Sequence, residues 1–148
     1  MQVGDTIEVH YVYSTAKISP GATLAACLNE SLNNPQLRVE AQVMVLVNDP
    51  KAAKFGELAR VQKVNGFYQA PQRPANTGQP VQYAGSTTGA AYNEKASPLA
   101  VTWRVRPKVL KVNAASLGQW CDGNEFKEDH AHSVRNLVNN EKLLAPIQ

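Results

Sequence analysis

Residues 37–47 read Leu-Arg-Val-Glu-Ala-Gln-Val-Met-Val-Leu-Val, and they constrain the chain more than any other stretch. Leu37, Val39, Ala41, Val43, Val45 and Val47 alternate with Arg38, Glu40, Gln42, Met44 and Leu46. That period of two places successive side chains on opposite faces of a strand. From Val43 onward both faces are apolar, so both need cover and the strand belongs inside a sheet. Residues 6–14 predict a second strand, β-branched and aromatic. Ile7, Val9, Tyr11 and Tyr13 share one face of it, and Thr6, Glu8, His10, Val12 and Ser14 the other. Residues 99–112 return to the pattern, with Val101, Trp103 and Val105 facing away from Thr102, Arg104 and Arg106. Pro107 cannot donate to a ladder and predicts a bulge or bend.

Shorter elements follow from local signals. Residues 58–64 predict a strand closed by the turn pair Asn65-Gly66, and residues 81–84 another. Residues 19–28 predict a short helix, with Ser19 as cap, Pro20 in the first turn, and Leu24, Cys27, Leu28 and Leu32 on its apolar side. After Asn48-Asp49-Pro50 a short helical or looped stretch runs to Gly56. Residues 125–144 predict the longest helix, with Phe126, Val134, Leu137 and Val138 as apolar positions. Residues 70–98 are rich in Pro, Gly, Asn, Ser and Thr and predict long loops. The expected fold is α+β and mostly β: a central antiparallel or mixed sheet, two or three short helices and long loops, in one domain over residues 1–148.

Composition narrows the function. Lys plus Arg number 15 against 12 Asp plus Glu, a net charge of +3, and aromatic residues are 7%. That excess is too small and too scattered for a nucleic-acid surface. No apolar run approaches the roughly 20 residues of a membrane-spanning helix, so no membrane partner is expected. Residues 1–5 show neither a charged nor an apolar leader region, which suits a periplasmic or secreted chain with its leader removed, or a cytoplasmic one. The two cysteines, Cys27 and Cys121, allow one disulfide or two buried thiols.

The chain has three histidines, His10, His130 and His132, the number of protein ligands that a catalytic zinc commonly takes. His130 and His132 share a face only if residues 129–132 are extended or irregular. On a helix they would stand about 200° apart at about 100° per residue. Glu8 lies two residues before His10 on the same strand face, and Asp122, Glu125, Glu128 and Asp129 crowd the later pair. Metal-bound imidazoles usually give their second nitrogen to such a carboxylate. The same acids would equally serve as solvated groups near a helix start. Cys121 could join the pair as a structural ligand, or face His130 as a weakly oriented nucleophile. Arg104 and Arg106, on one strand face, read as a solvated edge rather than an anion clamp.

Several segments together resemble the delta-class carbonic anhydrases. They include Glu8-Val9-His10-Tyr11-Val12-Tyr13-Ser14, Leu37-Arg38-Val39-Glu40-Ala41-Gln42-Val43, Val47-Asn48-Asp49, Ala84-Gly85-Ser86-Thr87-Thr88-Gly89, Val101-Thr102-Trp103, Trp120-Cys121-Asp122-Gly123-Asn124 and His130-Ala131-His132-Ser133. The resemblance implies reversible hydration of CO2 to bicarbonate by a zinc-bound hydroxide, with His10, His130 and His132 as ligands and cobalt or cadmium as substitute ions. Glu8, Glu40, Gln42, Ser14 and Thr102 are candidates to orient the hydroxide, and Val12, Val43 and Trp103 to line a CO2 pocket. With no fourth histidine, the proton leaves through water, buffer or a carboxylate. If the two cysteines pair in the family, their bridge would tie the first helix to the loop before His130. The alternative is a non-enzymatic β-rich metal-binding or surface binding module with a structural ion. A small metallohydrolase is a weaker rival. Oligomeric state stays open.

Overall fold

The computed structural model describes residues 1–32, 34–88 and 96–132. Its strands are β1 (Thr6–Ser14), β2 (Leu37–Val47), β3 (Gln62–Val64), β4 (Phe67–Gln69), β5 (Val81–Thr88) and β6 (Ala96–Asn113). The helices are α1 (Phe55–Leu58) and α2 (Ala114–Cys121), with a 3-10 turn at Leu24–Cys27. As its two-sided apolar pattern requires, β2 is internal, in a four-stranded sheet of order β1-β2-β6-β5. It runs antiparallel to β1 and parallel to β6, while β5 is antiparallel to β6. The sheet is therefore mixed, and the architecture is mostly β.

The irregularity expected at Pro107 is present. Gln42 pairs with Arg106 but Met44 pairs with Leu110, so two extra residues of β6 are inserted there. An insertion of two keeps the alternation of faces in phase. Beside it, Gly78 holds φ +92°, and a Cβ at that position would stand 2.8 Å from Pro107 Cγ. Only glycine suits both the left-handed backbone and the close approach.

The two sheet faces carry different cores. On the first, Leu37, Val39 and Val101 pack with Leu24 and Cys27 from the 3-10 turn. On the second, Met44, Leu46 and Val112 pack with Phe55 of α1 and Leu117 of α2. Asn113 ends β6 and starts α2: its Oδ1 accepts from Ser116 N at 2.9 Å and its Nδ2 donates to Asp49 O at 2.9 Å. Ser116 Oγ in turn accepts from Phe55 N at 2.9 Å, which ties the two helices together.

Several expectations are corrected. The helix expected over residues 19–28 is a single 3-10 turn capped by Thr23, whose φ of 61° cannot lie inside an α-helix. The strand expected over residues 58–64 is only Gln62–Val64, because Leu58 closes α1. Its hairpin turns through Asn65 and Gly66 at φ 51° and 85°, the pairing of left-handed residues that a two-residue hairpin favours. The strand at residues 81–84 extends to Thr88. The expected helix from residue 125 is irregular through residue 132, and the rest of it lies outside the described residues. Helix α2, which precedes it, was not anticipated. Asn124 explains the irregularity: its side-chain oxygen accepts from Phe126 N and Glu128 N, and its amide donates to Trp120 O and Glu128 O. A side chain that takes these backbone groups competes with helix formation.

The cysteines are also separated. Cys27 belongs to the first core and Cys121 packs against the second, and both are free thiols. A disulfide needs Cα atoms within about 7 Å, and residues packed on opposite sheet faces do not meet that need.

Three measurements check this account. Asn113→Ala removes a helix cap and its tie to Asp49, and should lower stability by about 1–2 kcal/mol in urea unfolding. Protein purified without reductant should yield two reactive thiols per chain on unfolding. Burial raises the Tyr11 phenol well above its ordinary value, so folding favours the neutral form. Its stability contribution is complete below the unfolded value of about 10 and falls away as pH rises above it. Among the described residues, Tyr11 Oη is buried with no hydrogen-bond partner. Tyr11→Phe should therefore change stability at pH 7 by less than about 1 kcal/mol while reducing the alkaline loss.

Candidate functional site

His10 projects from β1, an edge strand, on the face of the first core. Strand alternation puts Glu8 beside it, and His10 Nε2 stands 3.3 Å from Glu8 Oε1. Across β2 the residue in register with His10 is Ala41, fully buried at 0% exposure. Its methyl group is small enough for His10 to reach over β2 and meet Trp103 of β6 edge-on, with ring centroids 5.0 Å apart. Trp103 stacks on its cross-strand partner Tyr83 at 6.3 Å and donates Nε1–H to Ser86 O at 3.0 Å. Gly85 makes this possible, since a Cβ there would lie 3.0 Å from the indole Cδ1. Val12 and Val43 lie on the same face by register. Glu8, His10, Trp103 and Tyr83 thus form a carboxylate–imidazole–aromatic line across an open sheet face.

His130 and His132 lie in the irregular segment after α2, the condition that their spacing requires for a shared face. Their ring centroids are 4.7 Å apart. Each ring has a carboxylate: Asp129 Oδ1 contacts His130 Nδ1, and Glu128 Oε2 lies 2.7 Å from His132 Nε2. The contact with His130 holds the Asp129 carboxyl below its ordinary range. Burial, aided by Asp122, Asp129 and Glu128, pushes the Cys121 thiol up. A raised thiol is the reverse of what a nucleophile needs.

The structure does not bring these two groups together. Among the described residues no three His, Cys, Asp or Glu side chains are placed to hold a metal ion. Helix α2, which leads to the His pair, packs on the face opposite His10. Of the residues considered for orienting a hydroxide, only Glu8 stands beside His10. Ser14, on the same face, donates Oγ–H to Cys27 O at 2.6 Å.

Glu40, Gln42 and Thr102 lie on the other face by strand alternation, each on a separate task. Gln42 is 2% exposed; its Oε1 accepts from Thr77 Oγ1 at 2.6 Å and its Nε2 donates to Lys108 O at 3.0 Å. Glu40, 3% exposed, receives Arg104 Nη1 at 2.7 Å, with Arg106 Nε at 3.6 Å and Arg38 Nε at 3.9 Å. Arg106 also donates to Ala75 O and Gly78 O at 2.8 and 3.0 Å. The two arginines expected on a solvated edge are therefore partners of a buried carboxylate. The alternation of Glu40 with apolar neighbours, and of Arg104 and Arg106 with Val105, was the available signal. Thr102 lines a cleft beside Arg38 and Arg104.

Comparisons with curated proteins and with solved structures return no match. The family model described as Delta carbonic anhydrase matches residues 1–116. The matched span contains Glu8, His10, Glu40, Gln42 and Thr102 and stops before Cys121, His130 and His132. With most of its length matched, the chain belongs to the delta carbonic anhydrase family.

Proposed function

We propose that this chain catalyses the reversible hydration of CO2 to bicarbonate and a proton, as a zinc-dependent carbonic anhydrase. The observation that carries the reading is the family match, whose span holds an exposed Glu8–His10 pair beside Trp103. His10, His130 and His132 are the proposed ligands. Their donor chemistry suits zinc, because each imidazole has a carboxylate at one nitrogen, as ligating histidines usually do. Their placement does not: His10 stands apart from the pair, and no described cluster would hold an ion. Zinc, when bound, supplies a Lewis acid beside which water ionises near neutral pH.

The remaining tasks fall to groups on the face of His10. Glu8 fixes the orientation of the imidazole. Its side chain is half exposed, so it can also hand a proton to buffer. Trp103, Val12 and Val43 offer CO2 an apolar surface, which a substrate without charge or strong dipole needs. Ala41 keeps that surface open by leaving room above β2.

The test is stopped-flow CO2 hydration with metal analysis on zinc-loaded and chelated protein. One zinc per chain is expected, with hydration lost on chelation while the fold is kept. His10→Ala, His130→Ala and His132→Ala should each abolish both metal binding and hydration. Full activity in the His10→Ala variant would remove the reading. Glu8→Gln should weaken metal affinity or activity by about 10–100-fold. Turnover should rise with buffer concentration. Because His10 stands apart from the His130–His132 pair here, a structural ion is the second reading, and unfolding on chelation would favour it.

A further inference from the structure

The sheet face opposite His10 carries more positive charge than its fold requires. Among the described sheet residues, alternation places Arg38, Arg104 and Arg106 there with Glu40 as the single acid. One carboxylate cannot satisfy three guanidinium groups. Glu40 Oε1 is occupied by Arg104 Nη1 at 2.7 Å, and Arg38 Nε at 3.9 Å is beyond hydrogen-bond reach. Among the described residues, Arg38 Nε, Arg104 Nε and Arg106 Nε are buried without a hydrogen-bond partner, as is Glu40 Oε2, which lies 3.6 Å from Arg106 Nε. Arg106 is committed to two loop carbonyls, but Arg38 and Arg104 open into a cleft of about 430 Å³. Tyr13, Gln82 and Thr102 add further polar groups to its wall, which contains no Asp or Glu.

We propose that this cleft binds a small planar oxyanion, bicarbonate or an organic carboxylate, between Arg38 and Arg104. Partly desolvated guanidinium groups with unused N–H donors are costly unless an anion meets them. The planar fork of donors meets the two oxygens of a carboxylate-like group in a bidentate pair, which a spherical ion cannot form. Thr102 Oγ1, on the same strand face as Arg104, would supply a hydroxyl donor. The cleft exceeds the size of one bicarbonate, so ordered water or the body of a larger carboxylate fills the remainder. The site lies across the sheet from His10 and does not depend on zinc.

Titration of the full-length, metal-free chain at pH 8 and constant ionic strength tests this. Bicarbonate, acetate, phosphate and chloride are added in turn, with calorimetry and NMR of the arginine Nε–Hε groups as readouts. Saturable binding of one bicarbonate or acetate is expected, with the Arg38 and Arg104 signals moving together. Arg38→Gln should weaken that binding at least tenfold while moving the urea midpoint by little, since Arg38 makes a long contact to Glu40 and lies 4.7 Å over the half-buried Tyr13 ring, a surface pair of small energy. Arg38→Lys, which keeps the charge but loses the fork, should recover only part of it. Thr102→Val gives a second, milder loss at a site exposed enough to leave folding intact. Tighter binding of bicarbonate than acetate identifies the reaction's own anion, and the reverse identifies an organic carboxylate. Phosphate or chloride binding as well as either, or affinity unchanged in Arg38→Gln, overturns the proposal.

Discussion

A carboxylate buried in the middle of a sheet is the constraint on which the rest of this molecule depends. Glu40 lies on the central strand, and withdrawing its charge from water costs several kcal/mol unless partners replace the water. Those partners come from β6, paired in parallel so that Glu40 faces Arg104. A slip of one residue would turn the arginines to the opposite face and bring Val105 or Trp103 over Glu40. The β2–β6 register is therefore specified twice, by charge on one face and by Val39, Ala41 and Val101 on the other. The same cluster extends into the long loop before β5. Arg106 holds Ala75 and Gly78 through their carbonyls, and Thr77 closes on Gln42. A segment that reads as unstructured is strapped to the sheet because the charged row needs a cover.

That arrangement divides the labour between the faces. Ionic and amide groups that cannot be left unpaired are gathered on one side. The opposite side is left free for a line of rings whose contacts depend on absent atoms: the missing bulk at Ala41 and the missing Cβ at Gly85. Small residues at these two positions let an imidazole meet an indole across an intervening strand. They also keep the indole stacked on Tyr83. The open face beside His10 follows from what these positions lack as much as from what His10 carries.

The sheet was legible in the sequence wherever alternation was strong. The long strands β1, β2 and β6, the internal place of β2, the break at Pro107 and the Asn65-Gly66 turn all followed from period and turn chemistry. What was not legible depended on side chains that reach beyond their own element. Arg104 and Arg106 alternate as surface residues would, and only Glu40, more than 60 residues earlier in the chain, shows that they are ionic partners inside the structure. Thr23 and Asn124 interrupt apparent helical runs through local backbone geometry and hydrogen bonding that an apolar pattern does not record. Helix α2 carries Leu117, Trp120 and Cys121 at helical spacing after an Asn cap. That pattern was present, but the strand before it and Gly118 inside it concealed it. At the site, the Glu8–His10 pairing could be read from a two-residue spacing. The placement of Glu40, Gln42 and Thr102 away from His10 follows from the same parity once Ala41 is known to be the residue opposite.

The relation between His10 and the later pair is then a question about an edge. Helix α2 shares its core with Ile7 and Val9 of β1, the side chains on either side of Glu8 and just before His10. Its anchors are rigid: Asn113 is tied to Asp49, Ser116 to Phe55, and Trp120 is edge-on to Phe55 at 4.9 Å. Asn124 then redirects the chain within one turn of the helix end. The segment bearing His130 and His132 therefore starts from beneath the strand that carries His10, on its other face. Because β1 has no neighbouring strand on its outer side among the described residues, the route between the two groups passes around a single strand and need not cross the sheet. As an edge strand, β1 lets groups from the start of the chain and from the segment after α2 approach one another without disturbing the buried row around Glu40.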